Sequence, residues 1–344
     1  MRCDATFVLQ IDENLPSFFS SQCLEYHEIR DKQGEFMLTD PAVEAEVLKD
    51  RLRISWPQEG WWDEIKGPNA DIPKGWGDHY PVIHVDYIMP AAHTINGKQY
   101  VAEYTIWLMT KKGRGTPAIS MLVEIDKFEQ DNWYFQQAIN VWQQAHDENQ
   151  DKCRRRKRGL HEGESTDTGG TRVNMFAPDP PEGFDYEAHG MDEDEERKRK
   201  LVENWRVWNP FHEMMMTSIW FWGYEGSTIS PPCYPFVEWR VIETPMTIST
   251  RQHEQLKEIL FMNVDSDCKS TSIHADGGVV ARPTVSNKGH EVHKCDCFDF
   301  LSDSHRAEDP NERHCGDMKG EKPAWVTEHL GRHGNARGKR VNGP

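Results

Sequence analysis

Long apolar runs are missing from this sequence of 344 residues. It holds no stretch of about 18 apolar residues, the length a helix needs to cross a membrane, so we expect no membrane span. The N-terminus also lacks a basic stretch followed by an apolar one. We therefore expect no signal peptide in this chain and interpret it as a mature or truncated form.

Positive charge is also scarce. The chain has 40 basic against 57 acidic residues, which gives a net charge of −17. Because such a charge repels the phosphate backbone, we expect no nucleic-acid partner. The mean hydropathy of −0.79 predicts long solvated loops or tails, whereas 13 tryptophans suit a broad, well-packed sheet.

The cysteines lack the CxxC pairs of a zinc ribbon, so a structural zinc site of that kind is disfavoured. Their even number fits disulfides in an oxidising compartment, and it fits buried reduced thiols as well. The eight are Cys3, Cys23, Cys153, Cys233, Cys268, Cys295, Cys297 and Cys315.

Two neighbouring stretches are rich in β-branched and aromatic residues and are bounded by Pro, Gly and Asn. Residues 82–88 and 101–109 are therefore predicted to be strands. Asn96-Gly97 between them predicts a tight reversal, since both residues tolerate positive φ. We expect a hairpin-like central pair, with a third strand at residues 118–125.

Three sequence blocks carry a family resemblance. They are Ala-His-Thr-Ile-Asn-Gly-Lys-Gln-Tyr-Val-Ala-Glu at 92–103, Tyr-Glu-Gly-Ser-Thr-Ile-Ser-Pro-Pro-Cys at 224–233, and Val-Glu-Trp-Arg-Val followed by Pro-Met-Thr-Ile-Ser at 237–249. In this order the blocks resemble the signatures of alpha-type carbonic anhydrases. The resemblance implies an α+β, mainly β fold: one domain on a large twisted, mostly antiparallel central sheet with short peripheral helices.

The same resemblance implies a degenerate zinc site. The family holds a catalytic zinc with three histidines, two at i and i+2 on one strand and one on the next. Here those positions are His84, Asp86 and Thr105. The threonine that accepts a hydrogen bond from the zinc-bound water is replaced by Ile229, which has no acceptor. The glutamate that orients this threonine is replaced by Ala92.

Two functions follow from the resemblance. The first is a pseudoenzyme, a non-catalytic carbonic anhydrase-like protein without a cofactor, kept as a binding or structural module for an unknown protein or glycan partner. The alternative is an active carbonic anhydrase, a lyase that reversibly hydrates carbon dioxide, with His84, Asp86 and Glu103 holding zinc or another divalent metal. One imidazole with two carboxylates suits manganese or iron better than zinc.

The resemblance also implies a disulfide. Many secreted members of the family join a cysteine near the N-terminus to the one after Pro-Pro, which here are Cys3 and Cys233. We therefore expect a protein of the secretory pathway or the extracellular space.

The family-like domain is predicted to span residues 1–300, followed by a polar C-terminal tail at 301–344. A helix at 130–144 and another at 250–261, capped by Ser249 or Thr250, lie within it. A charged, Gly/Pro-rich insertion at 146–200 interrupts the domain and is predicted to be mostly disordered. Its basic run at 154–158 is interpreted as a solvated loop, with a nuclear signal or a dibasic processing site as alternatives.

Overall fold

The computed structural model describes the central part of the chain and several shorter segments. The described residues are 9–11, 19–20, 23, 25, 29–32, 36–38, 43–55, 67–72, 80–109, 116–157, 207–218, 220–230, 233–265, 267–273, 285–286 and 291–295.

Strands dominate the described residues, and two helices accompany them. The strands are β1 (Leu9–Ile11), β2 (Phe19–Ser20), β3 (Arg30–Lys32), β4 (Phe36–Met37), β5 (Glu44–Val47), β6 (Leu52–Ser55), β7 (Asn69–Asp71), β8 (Tyr80–Ile88), β9 (Thr94–Ile95), β10 (Lys98–Gln99), β11 (Ala102–Leu108), β12 (Thr116–Ile125), β13 (Val207–Trp208), β14 (Phe221–Gly226), β15 (Val237–Ile242), β16 (Met246–Ile248), β17 (Val285–Ser286) and β18 (Val292–Cys295). The helices are α1 (Trp133–Lys157) and α2 (Thr250–Phe261).

One large mixed sheet organises these strands, in the order β2-β18-β14-β15-β12-β11-β8-β6-β5. Strand β12 runs parallel to β15 and β16, and β18 runs parallel to β2. The other neighbours along this order are antiparallel. The predicted fold class, mainly β on a large and mostly antiparallel sheet, is confirmed.

The predicted central pair is confirmed as well. Strands β8 and β11 are antiparallel neighbours, with Thr105 opposite Asp86. The reversal between them is at Asn96 and Gly97, whose φ angles of 49° and 76° are both positive. This register places the polar positions of the two strands side by side.

The sheet buries side chains on both faces. Tyr87 and Tyr104 on one face pack against α1, where Tyr87 contacts Phe135 and Trp142. The alternate residues of β8 and β11 project to the opposite face, which carries a second apolar cluster that includes Trp107. The family-like site lies on this second face.

Helix α1 is longer than predicted. Asn132 begins it, because its Oδ1 accepts a hydrogen bond of 3.0 Å from the Phe135 amide. The buried face continues past Trp142 to His146 and Cys153. Residues 146–157 of the predicted insertion are therefore helical. The prediction of a solvated loop is wrong for residues 154–157. Residues 158–200 and the predicted tail at 301–344 lie outside the described residues.

Helix α2 has the predicted bounds, Thr250–Phe261. Ser249 is its N-cap and forms a capping box with Gln252: the serine Oγ accepts from the Gln252 amide at 3.1 Å, and the glutamine Oε1 accepts from the Ser249 amide at 3.3 Å. Within the described residues, neither helix is long and apolar enough to span a membrane.

Two disulfides join distant parts of the chain. Cys23 pairs with Cys295 and Cys153 with Cys268, with Cα–Cα distances of 4.7 and 5.2 Å. These four cysteines are therefore not reduced thiols. Cys233 is disulfide-bonded too, but Cys3 lies outside the described residues, so its pairing with Cys233 stays a prediction.

Candidate functional site

The residues predicted for the metal site all come from the two central strands. His84 and Asp86 lie on β8, and Glu103 and Thr105 lie on β11. They project to the same face of the sheet, since side chains alternate along each strand and Thr105 is opposite Asp86. Asp86 and Glu103 then take part in two separate hydrogen-bond networks.

Asp86 lies in the first network, where two arginines hold it. Arg53 on the neighbouring strand β6 donates from Nε and Nη2 to the two Asp86 oxygens at 2.7 and 2.9 Å. Arg51 donates from Nη1 at 2.9 Å. The carboxylate is 2% exposed, so its negative charge is balanced by guanidinium groups instead of by water.

The side chains around Asp86 also determine the protonation of this site. Burial would raise the pKa of Asp86, but His84, Arg53 and Arg51 around it hold that pKa well below its ordinary value. Burial would lower the pKa of Arg51, and Asp86 and Asp50 raise it. Asp86 is therefore a carboxylate and Arg51 a cation at every physiological pH. His84 stands at the edge, with its Nε2 3.6 Å from an Asp86 oxygen.

The arginine network reaches the loop that carries Ile229. Arg51 forms an ion pair with Asp50 at 2.6 Å. Asp50 in turn accepts a hydrogen bond of 2.8 Å from the hydroxyl of Ser230. This hydrogen bond ties Ser230, the residue after Ile229, to the turn before β6. The apolar side chain of Ile229 takes no part in it.

Glu103 lies in a second network. One oxygen accepts from the amides of Ala92 and His93, both at 2.9 Å. The other accepts from the Ser120 hydroxyl at 2.7 Å and from His93 Nδ1 at 2.8 Å. Burial would raise the pKa of Glu103, but His93 and Ser120 lower it, so this carboxylate is ionised.

His93 extends this network to β14. Because its Nδ1 donates to the Glu103 carboxylate, its Nε2 accepts from the hydroxyl of Tyr224 at 2.5 Å. The imidazole is fully buried and stands edge-on to Trp239. Glu103 therefore supports packing between β11, β12 and β14.

The predicted ligands do not form one metal site in this arrangement. Both oxygens of Asp86 accept from arginines, and both oxygens of Glu103 accept from other donors. Among the residues that the structure describes, no group of three His, Cys, Asp or Glu side chains is placed to hold a metal. The residues present therefore do not fit the zinc that the resemblance implies.

An indole ring lies beside His84. Trp107, two positions beyond Thr105, places its ring centroid 6.0 Å from that of His84 and 5.3 Å from that of Trp239. Trp107 is 5% exposed, and Ile229 and Ala92 belong to the same buried cluster. Ile229 and Ala92, which replace the polar residues of the family, thus lie in an apolar environment.

Sequence reasoning missed the arginines, His93 and Trp107 as parts of this site. Arg51 and Arg53 are two residues apart on either side of Leu52, which is the spacing of one strand face. That spacing was the available signal, but the pairing of Arg53 with Asp86 depends on the register between β6 and β8. His93 gives no such signal, since its partners come from three other strands.

Comparisons with known proteins agree with the resemblance. A family model described as eukaryotic-type carbonic anhydrase matches residues 193–295. Carbonic anhydrase 7 from Mus musculus is 37% identical over 54 residues, which are 16% of this chain and 20% of that protein. The chain thus matches about a fifth of the length of this curated relative. These matches show that part of the chain is similar to carbonic anhydrases.

Solved structures with a similar course of the chain include three with low identity. Dioscorin complexed with ascorbate has a TM-score of 0.49 at 13% identity, covering 84% of both chains. The alpha-carbonic anhydrase from Thermovibrio ammonificans with sulfanilamide has a TM-score of 0.45 at 14% identity, and the match covers 84% of this chain and 86% of that one. The alpha-carbonic anhydrase from Photobacterium profundum has a TM-score of 0.45 at 12% identity, and the match covers 84% of this chain and 90% of that one. Similarities at this level support no statement about function.

Proposed function

We propose that this carbonic anhydrase-like chain does not hydrate carbon dioxide and that its fold serves as a binding or structural module. The observation that carries the proposal is the state of Asp86, which stands at a zinc-ligand position of the family and is held by Arg51 and Arg53. The chain supplies its own cations where the family binds a metal.

Guanidinium groups cannot replace the chemistry of that metal. Hydration of carbon dioxide needs a water that a Lewis acid has brought to a pKa near neutrality. Arginine stays protonated and has no vacant coordination position, so it cannot bind a water in this way. The arginines balance charge and generate no nucleophile.

The other positions support the same conclusion. Ile229 has no hydrogen-bond acceptor for a bound hydroxide, and Ala92 has no carboxylate with which to orient a threonine at that position. Trp107 lies against His84, so an indole ring takes up space beside the remaining histidine. Each change removes a separate requirement of the family's reaction.

A binding role in the secretory pathway or outside the cell completes the proposal. The disulfides Cys23–Cys295 and Cys153–Cys268 are consistent with an oxidising compartment. The partner is proposed to be a protein or a glycan, with no cofactor required. The active alternative would need Arg51 and Arg53 to release Asp86, and Glu103 to give up four donors.

Metal analysis together with a hydration assay tests this proposal. The full chain is dialysed against zinc and, separately, against manganese, freed of excess metal and measured by mass spectrometry and by stopped-flow hydration of carbon dioxide. We expect well under one metal per chain and no rate above the buffer, beside an active carbonic anhydrase as positive control. Stoichiometric metal with robust turnover would overturn the proposal.

A further inference from the structure

An exposed group of cations lies at the C-terminal end of α1. We define this basic helix end as Lys152, Arg154, Arg155, Arg156 and Lys157, all of which are exposed. We infer that it binds a sulfated polysaccharide. In a chain with a net charge of −17, it is a local concentration of the opposite charge.

The helix arranges three of these cations on one side. Lys152, Arg155 and Arg156 are related by i, i+3 and i+4, so their side chains are neighbours with Cβ atoms about 5–6 Å apart. Cys153, between them in sequence, is buried and points toward the body of the protein. Lys152, Arg155 and Arg156 therefore form a solvent-facing cluster on one side of the helix, and Arg154 and Lys157 lie at other angles around it.

These side chains are available to an anion. Arg154 pairs with Asp151 at 3.3 Å and Arg156 with Asp267 at 2.7 Å, but all four side chains are more than half exposed, and such pairs exchange readily. Within the described part of the chain, Lys152, Arg155 and Lys157 have no carboxylate at ion-pair distance. Within these described residues, a polyanion would meet three cations without an ion pair and two cations in exposed ion pairs.

The basic helix end is also held in place. The Cys153–Cys268 disulfide fixes it covalently to the segment after α2. One turn earlier, Gln150 donates to the carbonyl of Met262 at 2.6 Å and Asn149 to Asn263 at 3.3 Å. Binding would therefore order few backbone groups, which lowers its entropic cost.

The chemistry favours sulfate esters on a polysaccharide. Arginine presents a planar fork of donors that matches oxyanions, and three of the five cations are arginine. The disulfide within the site favours an oxidising compartment, where sulfated polysaccharides are the abundant polyanions and nucleic acids are not expected. The overall negative charge is screened beyond about 8 Å at physiological ionic strength, so the local cations dominate.

This inference does not depend on the lack of catalysis. Helix α1 packs on the face of the sheet opposite Trp107 and His84. A protein that hydrates carbon dioxide could still bind a polyanion at this helix end, and an inactive one could fail to do so. The two proposals therefore fail in different experiments.

Heparin binding by the full chain at physiological salt is the test, measured by calorimetry and by elution from a heparin column. The test variant carries Lys152→Gln, Arg155→Gln and Lys157→Gln, which keep the disulfide and the Arg156–Asp267 pair. The matched control carries Lys98→Gln, Lys127→Gln and Lys257→Gln, the same change in charge at positions outside α1. Thermal unfolding shows that both variants are folded.

We expect the test variant to bind heparin about tenfold more weakly or worse, with a smaller dependence of log K on log salt. The control variant should bind like the wild type, and desulfated heparin should bind to neither. Equal losses of heparin affinity in both variants would show that net charge alone determines binding, and this result would overturn the inference. It would also be overturned if the wild type failed to bind heparin at physiological salt, or bound duplex DNA as tightly as heparin.

Discussion

At the scale of single residues, the two-residue spacing of Arg51 and Arg53 sets the character of the site. Both side chains reach the same carboxylate, and Arg53 reaches it with two parallel hydrogen bonds. Taking a carboxylate out of water is costly, and the pair offsets this cost only while each member keeps its partners. The cluster should therefore tolerate replacement as a unit far better than the loss of one member.

Asp86→Asn tests this dependence. The substitution removes the carboxylate that Arg53 and the buried Arg51 share, and Arg51 keeps Asp50 as a counter-charge. We therefore expect the free energy of unfolding to fall by up to about 3–5 kcal/mol. Urea denaturation measures the change. The combined replacement Asp86→Leu, Arg51→Met and Arg53→Met should cost less, because the charge that it leaves unpaired is Asp50, whose side chain is 17% exposed and keeps the hydrogen bond from Ser230. An Asp86→Asn variant with wild-type stability would show that the cluster contributes nothing.

The arginines also affect any attempt to rebuild a zinc site. Asp86→His with Thr105→His would provide three imidazoles together with His84, but Arg51 and Arg53 would still lie beside them. We expect weak zinc binding until Arg51→Gln and Arg53→Gln are added, because two fixed positive charges oppose a divalent cation. Competition with a chromogenic chelator measures the affinity. Tight binding by the two-histidine variant alone would contradict this.

Turnover should stay poor even in that four-substitution variant. Ile229 offers no acceptor and Ala92 no carboxylate, and a positioned hydrogen bond of this kind is worth about two to three orders of magnitude in rate. Adding Ile229→Thr and Ala92→Glu should raise the hydration rate far more than the zinc affinity. Rapid hydration without these two changes would show that the roles assigned to Ile229 and Ala92 are wrong.

At the scale of elements, α1 shows how a distant partner extends a helix. Its apolar spacing ends near Trp142, and the residues beyond are mostly charged. The last turns are held by contacts with the segment after α2, namely the disulfide to Cys268 and the hydrogen bond to Met262. Cations in the last turn add favourable interactions with the helix dipole.

Removal of this disulfide should loosen the end of α1. In Cys153→Ser with Cys268→Ser, a link across a sequence separation of 115 residues is lost, and such links contribute about 2–5 kcal/mol. We expect amides of residues 149–157 to exchange hydrogen much faster, while those of 135–142 change less. Hydrogen-exchange mass spectrometry separates the two segments. Uniform acceleration along α1 would contradict a local role for the bond.

The elements that the sequence predicted are those whose signals are local. Strands β8 and β11 carry β-branched and aromatic runs, and α2 carries its own capping box, so their positions could be predicted. The last turns of α1 depend on Cys268, and the pairing of Asp86 with Arg53 depends on strand register. Neither is encoded within a window of neighbouring residues. The replaced ligand positions could be read directly from the sequence, but their new partners could not.

At the scale of the whole molecule, buried charge lies on both faces of the main sheet. On the face opposite Asp86, Glu25 accepts two hydrogen bonds from Arg240 at 3.0 and 3.1 Å, and His293 lies 3.5 Å away. The Cys23–Cys295 disulfide ends two residues from both Glu25 and His293 and holds them together. This charge cluster connects the N-terminal segment to strands β15 and β18.

Acid unfolding should report on this cluster. Burial would raise the pKa of Glu25, but Arg240 and His293 lower it to about 2 from its ordinary 4.5. Since the folded pKa is the lower one, the stabilisation is fully present above about pH 4.5 and is lost as the pH falls through 2. A difference of 2.5 pKa units corresponds to an upper limit of about 3 kcal/mol.

The net charge of the molecule also changes on acidification, which makes a variant necessary. The chain carries −17 at pH 7, but its isoelectric point is about 5.4, so protonation of carboxylates from pH 5 to 2 builds up positive charge and self-repulsion. The stability of the wild type over this range therefore falls through two effects of the same sign. Glu25→Gln removes one of them: it should be less stable at pH 7, because Arg240 loses Glu25 and keeps, among the described residues, only the more distant carboxylate of Glu238 at 3.7 Å, but it should lose up to about 3 kcal/mol less on acidification. Glu44→Gln, at an exposed position, is the matched control and should follow the wild-type curve. Urea denaturation at a series of pH values measures the three slopes, and a Glu25→Gln slope equal to that of the wild type would show that Glu25 does not link folding to protonation.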